Sequence, residues 1–181
     1  IFFISRRIFG ENPALISAIL ASFYFPMVYF SVRLLPATLN LFFFLLSLAI
    51  VCFDYKLKKV YSFFSGFCLG LCGIFWPLSL AIAPALLVWF LLKGIRKGIS
   101  QGLVFILGLA IPIVLVSYQN YRAGKDLILI QDNWGMNFYL GNNNNSLGFP
   151  YLRPSGEWDR IQSMPIIEAG IEKPSLQNLF Y

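Results

Sequence analysis

The residues best suited to chemistry lie between positions 131 and 160. They read Gln131-Asp132-Asn133-Trp134-Gly135-Met136-Asn137-Phe138-Tyr139-Leu140-Gly141-Asn142-Asn143-Asn144-Asn145-Ser146, and later Gly156-Glu157-Trp158-Asp159-Arg160. A carboxamide donates and accepts hydrogen bonds at once, and Trp and Tyr offer a flat apolar face with a polar tip. Such a set suits a ligand with both hydroxyls and C–H faces, as sugars have, and is a poor recipe for a buried core. On this reading Asn137, Tyr139, Asn142 and Asn143 contact hydroxyls, Trp158 stacks, and Glu157 or Arg160 fixes orientation. The competing reading uses the same residues to fold the segment on itself, through Asx turns and a buried Trp. With no His in the chain, any base here is a carboxylate, Tyr or Lys. Asp126, Asp132, Glu157 and Asp159 are the carboxylates within reach, and sequence singles out none of them as catalytic.

The remainder of the chain reads as membrane machinery that delivers this segment. Of 181 residues, 58% are hydrophobic and only 12% charged, against roughly 25% charged in soluble domains. The mean hydropathy is +0.70. Positions 1–5 are apolar and run straight into Arg6 and Arg7, which reads as the tail of a helix in a fragment of a longer polypeptide. Asn12-Pro13 signals a helix start. The uncharged runs 13–32 and 34–53 each match the ~30 Å of hydrocarbon a span must cross. Asn40, the most polar residue of the second run, is expected to bond to a neighbouring helix.

The run 60–92 is also uncharged, and as one helix at ~1.5 Å per residue it would be about 50 Å long, too long for one crossing. Trp76-Pro77 supplies a break, because proline removes a hydrogen bond and disfavours helix at the residue before it. The run therefore reads as a hairpin with arms 60–75 and 78–92. Charge placement agrees: the hairpin puts Arg6/Arg7, Lys56/Lys58/Lys59 and Lys93/Arg96/Lys97 on one side, as the excess of Lys and Arg in cytoplasmic loops requires. A last span over 98–121 contains Pro112 and exits on the outer face. The inner side then holds eight basic and two acidic residues, and the outer side six of each. The net charge of +6 is thus topogenic, not a nucleic-acid patch.

Composition changes after Tyr121. Positions 126–131 and 137–140 read as short strands with Trp134-Gly135 as a turn, 142–145 as a loop, and Pro174-Ser175 as the start of another helix with Ser175 as N-cap. Asn144-Asn145-Ser146 matches a glycosylation acceptor, a triplet common by chance. Cys52, Cys68 and Cys72 lie in apolar runs and read as small packing residues; without His to complete a set, they do not suggest zinc. The fold expected is an all-α polytopic membrane protein: a bundle of about five spans over 1–121, then a small mixed extracytoplasmic region over 122–181.

Several of these stretches resemble the GT-C type membrane glycosyltransferases. The likeness is to the family 39 branch that includes protein mannosyltransferases and lipid A aminoarabinose transferases. Arg7-Ile8-Phe9-Gly10 followed by Tyr24-Phe25-Pro26, Leu34-Leu35-Pro36-Ala37-Thr38-Leu39, and the glycine-rich 66–77 are similar to elements of its bundle. The most specific matches are 135–143, Gly156-Glu157-Trp158-Asp159, and Ala169-Gly170-Ile171-Glu172-Lys173-Pro174-Ser175. The resemblance implies a hexosyl or pentosyl transferase, multi-pass in a bacterial inner membrane. It would move a sugar from a polyprenyl-phosphate donor to a lipid, glycan or protein acceptor on the outer face, without a nucleotide sugar. It leaves dependence on a divalent metal open. Relatives carry their catalytic acid in a first outer loop, which would precede this fragment, and an Arg where this chain has Trp76. A transporter or flippase for lipid-linked sugars and a non-catalytic membrane scaffold are the alternatives. The first would be expected to place charged residues within its spans, and these spans carry none.

Overall fold

The computed structural model describes residues 1–32, 36–53, 58–142 and 156–181, with the backbone alone for 156–158. Helices account for nearly all of it, and the chain divides into two compact units, Ile1–Val116 and Ser117–Tyr181.

In the first unit the helices are α1 (Phe2–Phe9), α2 (Glu11–Phe23), α3 (Phe25–Val32), α4 (Pro36–Phe53), α5 (Lys59–Phe75), a 3-10 helix at Pro77–Ile82, α6 (Ala83–Leu92) and α7 (Ile95–Gly124). α7 carries the chain on into the second unit. Prolines decide where the apolar runs break. Pro26 has no N–H to offer the preceding turn, so the backbone leaves the helix at Tyr24 with ψ 104° and resumes at Phe25, bending α2 against α3 by 52°. Trp76 is extended (φ −149°, ψ 97°) before Pro77, and α5 stops at Phe75. Leu80 then lies back over Gly73, so the chain does turn at this point.

The span count differs from expectation. By length and composition α4 and α7 can cross a membrane, and the bent pair α2 and α3 makes a third if taken as one span; about five were expected. The reason is the break itself. Pro77 ends α5 at 17 residues, about 26 Å at ~1.5 Å per residue, and leaves the 3-10 segment and α6 as another short apolar piece. The start of α2 also differs, since the helix begins at Glu11 and Asn12 lies inside it.

The packing is set by small residues. A Cβ on Gly66 would meet the Phe105 carbonyl, and one on Gly108 the Phe63 carbonyl, both nearer than real Cβ atoms approach. α5 and α7 thus cross backbone to backbone, a close approach that small residues permit in membrane bundles. Around the crossing, Val51, Leu69, Cys72, Leu86, Phe90 and Phe105 form one core drawn from α4, α5, α6 and α7. Buried hydroxyls are paired across it. Ser65 donates to the Ser47 carbonyl (3.1 Å) and lies 3.0 Å from the Ser47 hydroxyl, and Ser62 donates to Gln101 Oε1. Asn40 Oδ1 accepts from Ser79 (3.0 Å), the link to a neighbouring segment that sequence predicts.

The second unit has no strand among its described residues. Its helices are α8 (Trp134–Asn142), α9 (Gly156–Ala169) and α10 (Pro174–Gln177). α7 ends where Lys125 takes a left-handed conformation (φ 53°). The segment after it keeps a strand-like alternation, with Leu127 and Leu129 exposed and Ile128 and Ile130 half-buried. Its carbonyls, however, are satisfied by side chains of α7: Asn120 Nδ2 donates to Ile128 (3.1 Å) and Ile130 (3.3 Å), and Ser117 Oγ to Leu129 (2.7 Å). A helix edge takes the place of a second strand. The strand expected over 137–140 and the turn expected at Trp134-Gly135 are both parts of α8, whose Met136 and Leu140 bury against Ile161 of α9 at helical spacing. Met164, Tyr139 and Tyr181 close this small core, and Tyr181 Oη donates to the Ile161 carbonyl (2.5 Å).

The glycine crossing yields a direct expectation. Gly66→Ala and Gly108→Ala each destabilise the detergent-solubilised protein by about 1–3 kcal/mol through overpacking. Gly141→Ala, which meets nothing within 4 Å, leaves the melting temperature unchanged or raises it. Equal melting of all three variants would remove the close crossing.

Candidate functional site

Helix α8 is where the amide-rich sequence takes definite form. It begins at Trp134 because Gly135 has its N–H bound by the Asn178 side chain (2.7 Å), and a Cβ there would strike the Asn178 backbone. The face holding Met136 and Leu140 packs inward. The opposite face therefore presents Trp134, Asn137, Phe138 and Gly141, spaced 0, 3, 4 and 7, an uncharged row with the Asn137 amide between two exposed aromatics. Trp134 is 59% and Phe138 63% exposed.

The predicted site residues separate on this frame. Asn137 is exposed on the outward row. Asn142, one turn on, spends its amide locally by donating to the Phe138 carbonyl (2.9 Å). Tyr139 points the other way, half-buried with its ring 5.7 Å from that of Tyr181, and so serves the core. Arg160 is exposed on α9, next to the buried Ile161. Asn143 and the side chains of Glu157 and Trp158 lie outside the described residues.

Two of the four carboxylates hold the C-terminal segment. Asp126 accepts from both the backbone N–H (2.8 Å) and the hydroxyl (2.7 Å) of Ser175, so Ser175 is anchored by an acid 49 positions earlier and is not the cap of α10, a place that Lys173 takes. Those two bonds hold the Asp126 carboxyl below the usual carboxylate range, with Lys173 adding to the effect. Asp132 behaves oppositely. Its Oδ1 accepts from Asn178 Nδ2, while Oδ2 is buried with no partner among the described residues. Burial and the Asp126 charge raise its pKa, a tendency the Asn178 bond only partly offsets. Asn178, 4% exposed, thus links Asp132 to the first turn of α8. Sequence reasoning named both acids but not their partners, because the pairing joins positions more than 40 residues apart.

In the first unit a separate cavity of about 460 Å³ lies at the Trp76 break, lined by Asn40, Leu41, Phe44, Trp76, Leu78, Ser79, Ala81 and Ile82. Its wall is apolar except for the Asn40–Ser79 pair, and Trp76 is 55% exposed beside it. An amphiphile with an apolar chain and a hydrogen-bonding head fits such a lining. The only clue in the sequence is the meeting of Asn40 with Trp76-Pro77, which are far apart along the chain.

The carboxylates give opposite pH signatures. The Asp126 contribution to stability is complete above the unfolded pKa near 3.8 and is lost as pH falls through its lower folded value. The raised pKa of Asp132 means that stability falls as pH rises from 3.8 through the folded value, and is level beyond it. At neutral pH Asp126→Asn should speed hydrogen exchange at the Ser175 amide, and Asp132→Asn should remove the decline above 3.8 without freeing Ser175. A loss of Ser175 protection in both variants alike would contradict this division.

Comparison with protein-family models, with curated proteins and with solved structures finds no match for this chain.

Proposed function

We propose that this chain belongs to a membrane glycosyltransferase that moves a sugar from a polyprenyl-phosphate donor to a lipid, glycan or protein acceptor on the outer face. The observation that carries the reading is the cavity at Trp76: an apolar hollow in a helix bundle with one amide–hydroxyl pair, Asn40 and Ser79, in its wall. A polyprenyl phosphate asks for that combination, apolar surface for its chain and polar groups near its head. The exposed Asn137 amide of α8 supports the reading from the second unit, since a carboxamide both donates to and accepts from ligand hydroxyls. The sequence resemblance to GT-C enzymes agrees with both.

In the reaction the acceptor oxygen attacks the anomeric carbon, the bond from that carbon to the phosphate oxygen breaks, and polyprenyl phosphate leaves. The acceptor proton passes to a carboxylate. In the first unit Trp76, Asn40 and Ser79 seat the lipid; in the second, Asn137 hydrogen-bonds sugar or acceptor hydroxyls. No charged residue lies within 98–121 or the other uncharged runs, which counts against the flippase alternative.

The test uses the full chain in nanodiscs. Trp76→Ala lowers affinity for a polyprenyl phosphate about tenfold, as expected for losing ~1.4 kcal/mol of aromatic contact. Asn137→Ala lowers sugar transfer while binding of the sugar-free polyprenyl phosphate is unchanged. Wild-type transfer in both variants would refute the assignment.

A further inference from the structure

The second unit leaves large apolar side chains outside its core. Leu127 (69% exposed) and Leu129 (65%) project from the segment clamped along α7, and Trp134 and Phe138 from the outward row of α8. Such a set in water is costly, and its position suggests what meets it. The last turns of α7 carry Tyr118 and Tyr121, both exposed, and Arg122, whose guanidinium lies 6.0 Å from the Tyr118 ring centre. Aromatic and basic residues at the end of a span mark the level of the lipid headgroups. Leu127 follows the end of α7 by three residues, a reach of about 10 Å at ~3.3 Å per residue.

Charge agrees with proximity to headgroups. Arg122 and Lys125 are exposed and suit lipid phosphates. From Leu127 to Asn142 the one charged residue is Asp132, and its carboxylate is bonded to Asn178. Asp126 is likewise engaged with Ser175.

We propose that this part of the second unit rests on the membrane, with Leu127, Leu129, Trp134 and Phe138 dipping into the boundary between headgroups and acyl chains. The occupant of the surface is the bilayer itself, continuous with the lipid around α7. The inference is independent of sugar transfer and needs no donor to be tested.

Fluorescence of the full chain is compared with that of Trp134→Phe in nanodiscs, so that the difference reports Trp134 alone. Lipids brominated near the headgroup end of the acyl chains should cut the difference signal at least twofold, and aqueous acrylamide should reach it poorly. A signal quenched by acrylamide but not by brominated lipid would overturn the proposal by placing Trp134 in water. A signal reached by neither would overturn it too, by assigning the surface to a protein partner or a second copy of the chain. Phe138→Trp adds a second reporter with Trp134 in place, and its added signal must follow the same pattern.

Discussion

The close crossing of α5 and α7 is the constraint on which the first unit depends. Inside hydrocarbon, helices gain little from hiding apolar surface, since lipid tails are as apolar as leucine. Association must come from packing and from hydrogen bonds that lipid cannot supply. Gly66 and Gly108 let two backbones approach, and this brings Ser62 to Gln101 on the same pair of helices. Ser65, also on α5, meets Ser47 of α4 on the other side. The hydroxyls that would be a liability singly become the links between three helices. Phe105, which a larger residue at position 66 would displace, also meets Phe90 edge to face (5.7 Å), so α6 is tied to the same crossing.

Much of this was legible in the sequence, though unevenly. The break at Trp76-Pro77 is found because a long uncharged run demanded one and a proline offered the place. Pro26 carries the same signal, but the run around it already has the length of a span, so nothing in the length of the run demands a break there. Local chemistry decided the bend at Tyr24, whereas length had decided the reading. The alternation at 126–131 reads as a strand, yet no strand forms there, because Asn120 and Ser117 of α7 take up the carbonyls that a second strand would have paired. In 137–140 two buried positions four apart, Met136 and Leu140, overrode the strand-like look of Phe138-Tyr139. The site was legible as a composition, not as a surface: of its seven residues Asn137 stands outward while Tyr139 turns into the core, a difference only the helical period reveals.

The second unit shows how acids can be used for architecture. Asp126 and Asp132 are six positions apart, and each takes a partner from the C-terminal segment, Ser175 for one and Asn178 for the other. The first is charged and well satisfied. The second has one buried oxygen without a partner and is pushed toward its neutral form. Like charges so close would oppose folding if both were fully ionised, and the rise of one pKa relieves that opposition. The same pairing brings Asn178 to Gly135, so the start of α8 depends on an acid that precedes it by two residues.

These arrangements restrict where chemistry can occur. The uncharged runs offer no acid or base within the hydrocarbon, and the buried hydroxyls and amides there are already engaged with one another. A proton or an ion passing along such an interior would have to compete with the links that hold it together. Among the described residues, the surfaces left able to bind include the hollow at the Trp76 break and the amide-bearing face of α8. Both pair apolar surface with a few hydrogen-bonding groups, and neither supplies a strong base. Each of these surfaces can orient an amphiphilic molecule but cannot by itself take up its proton.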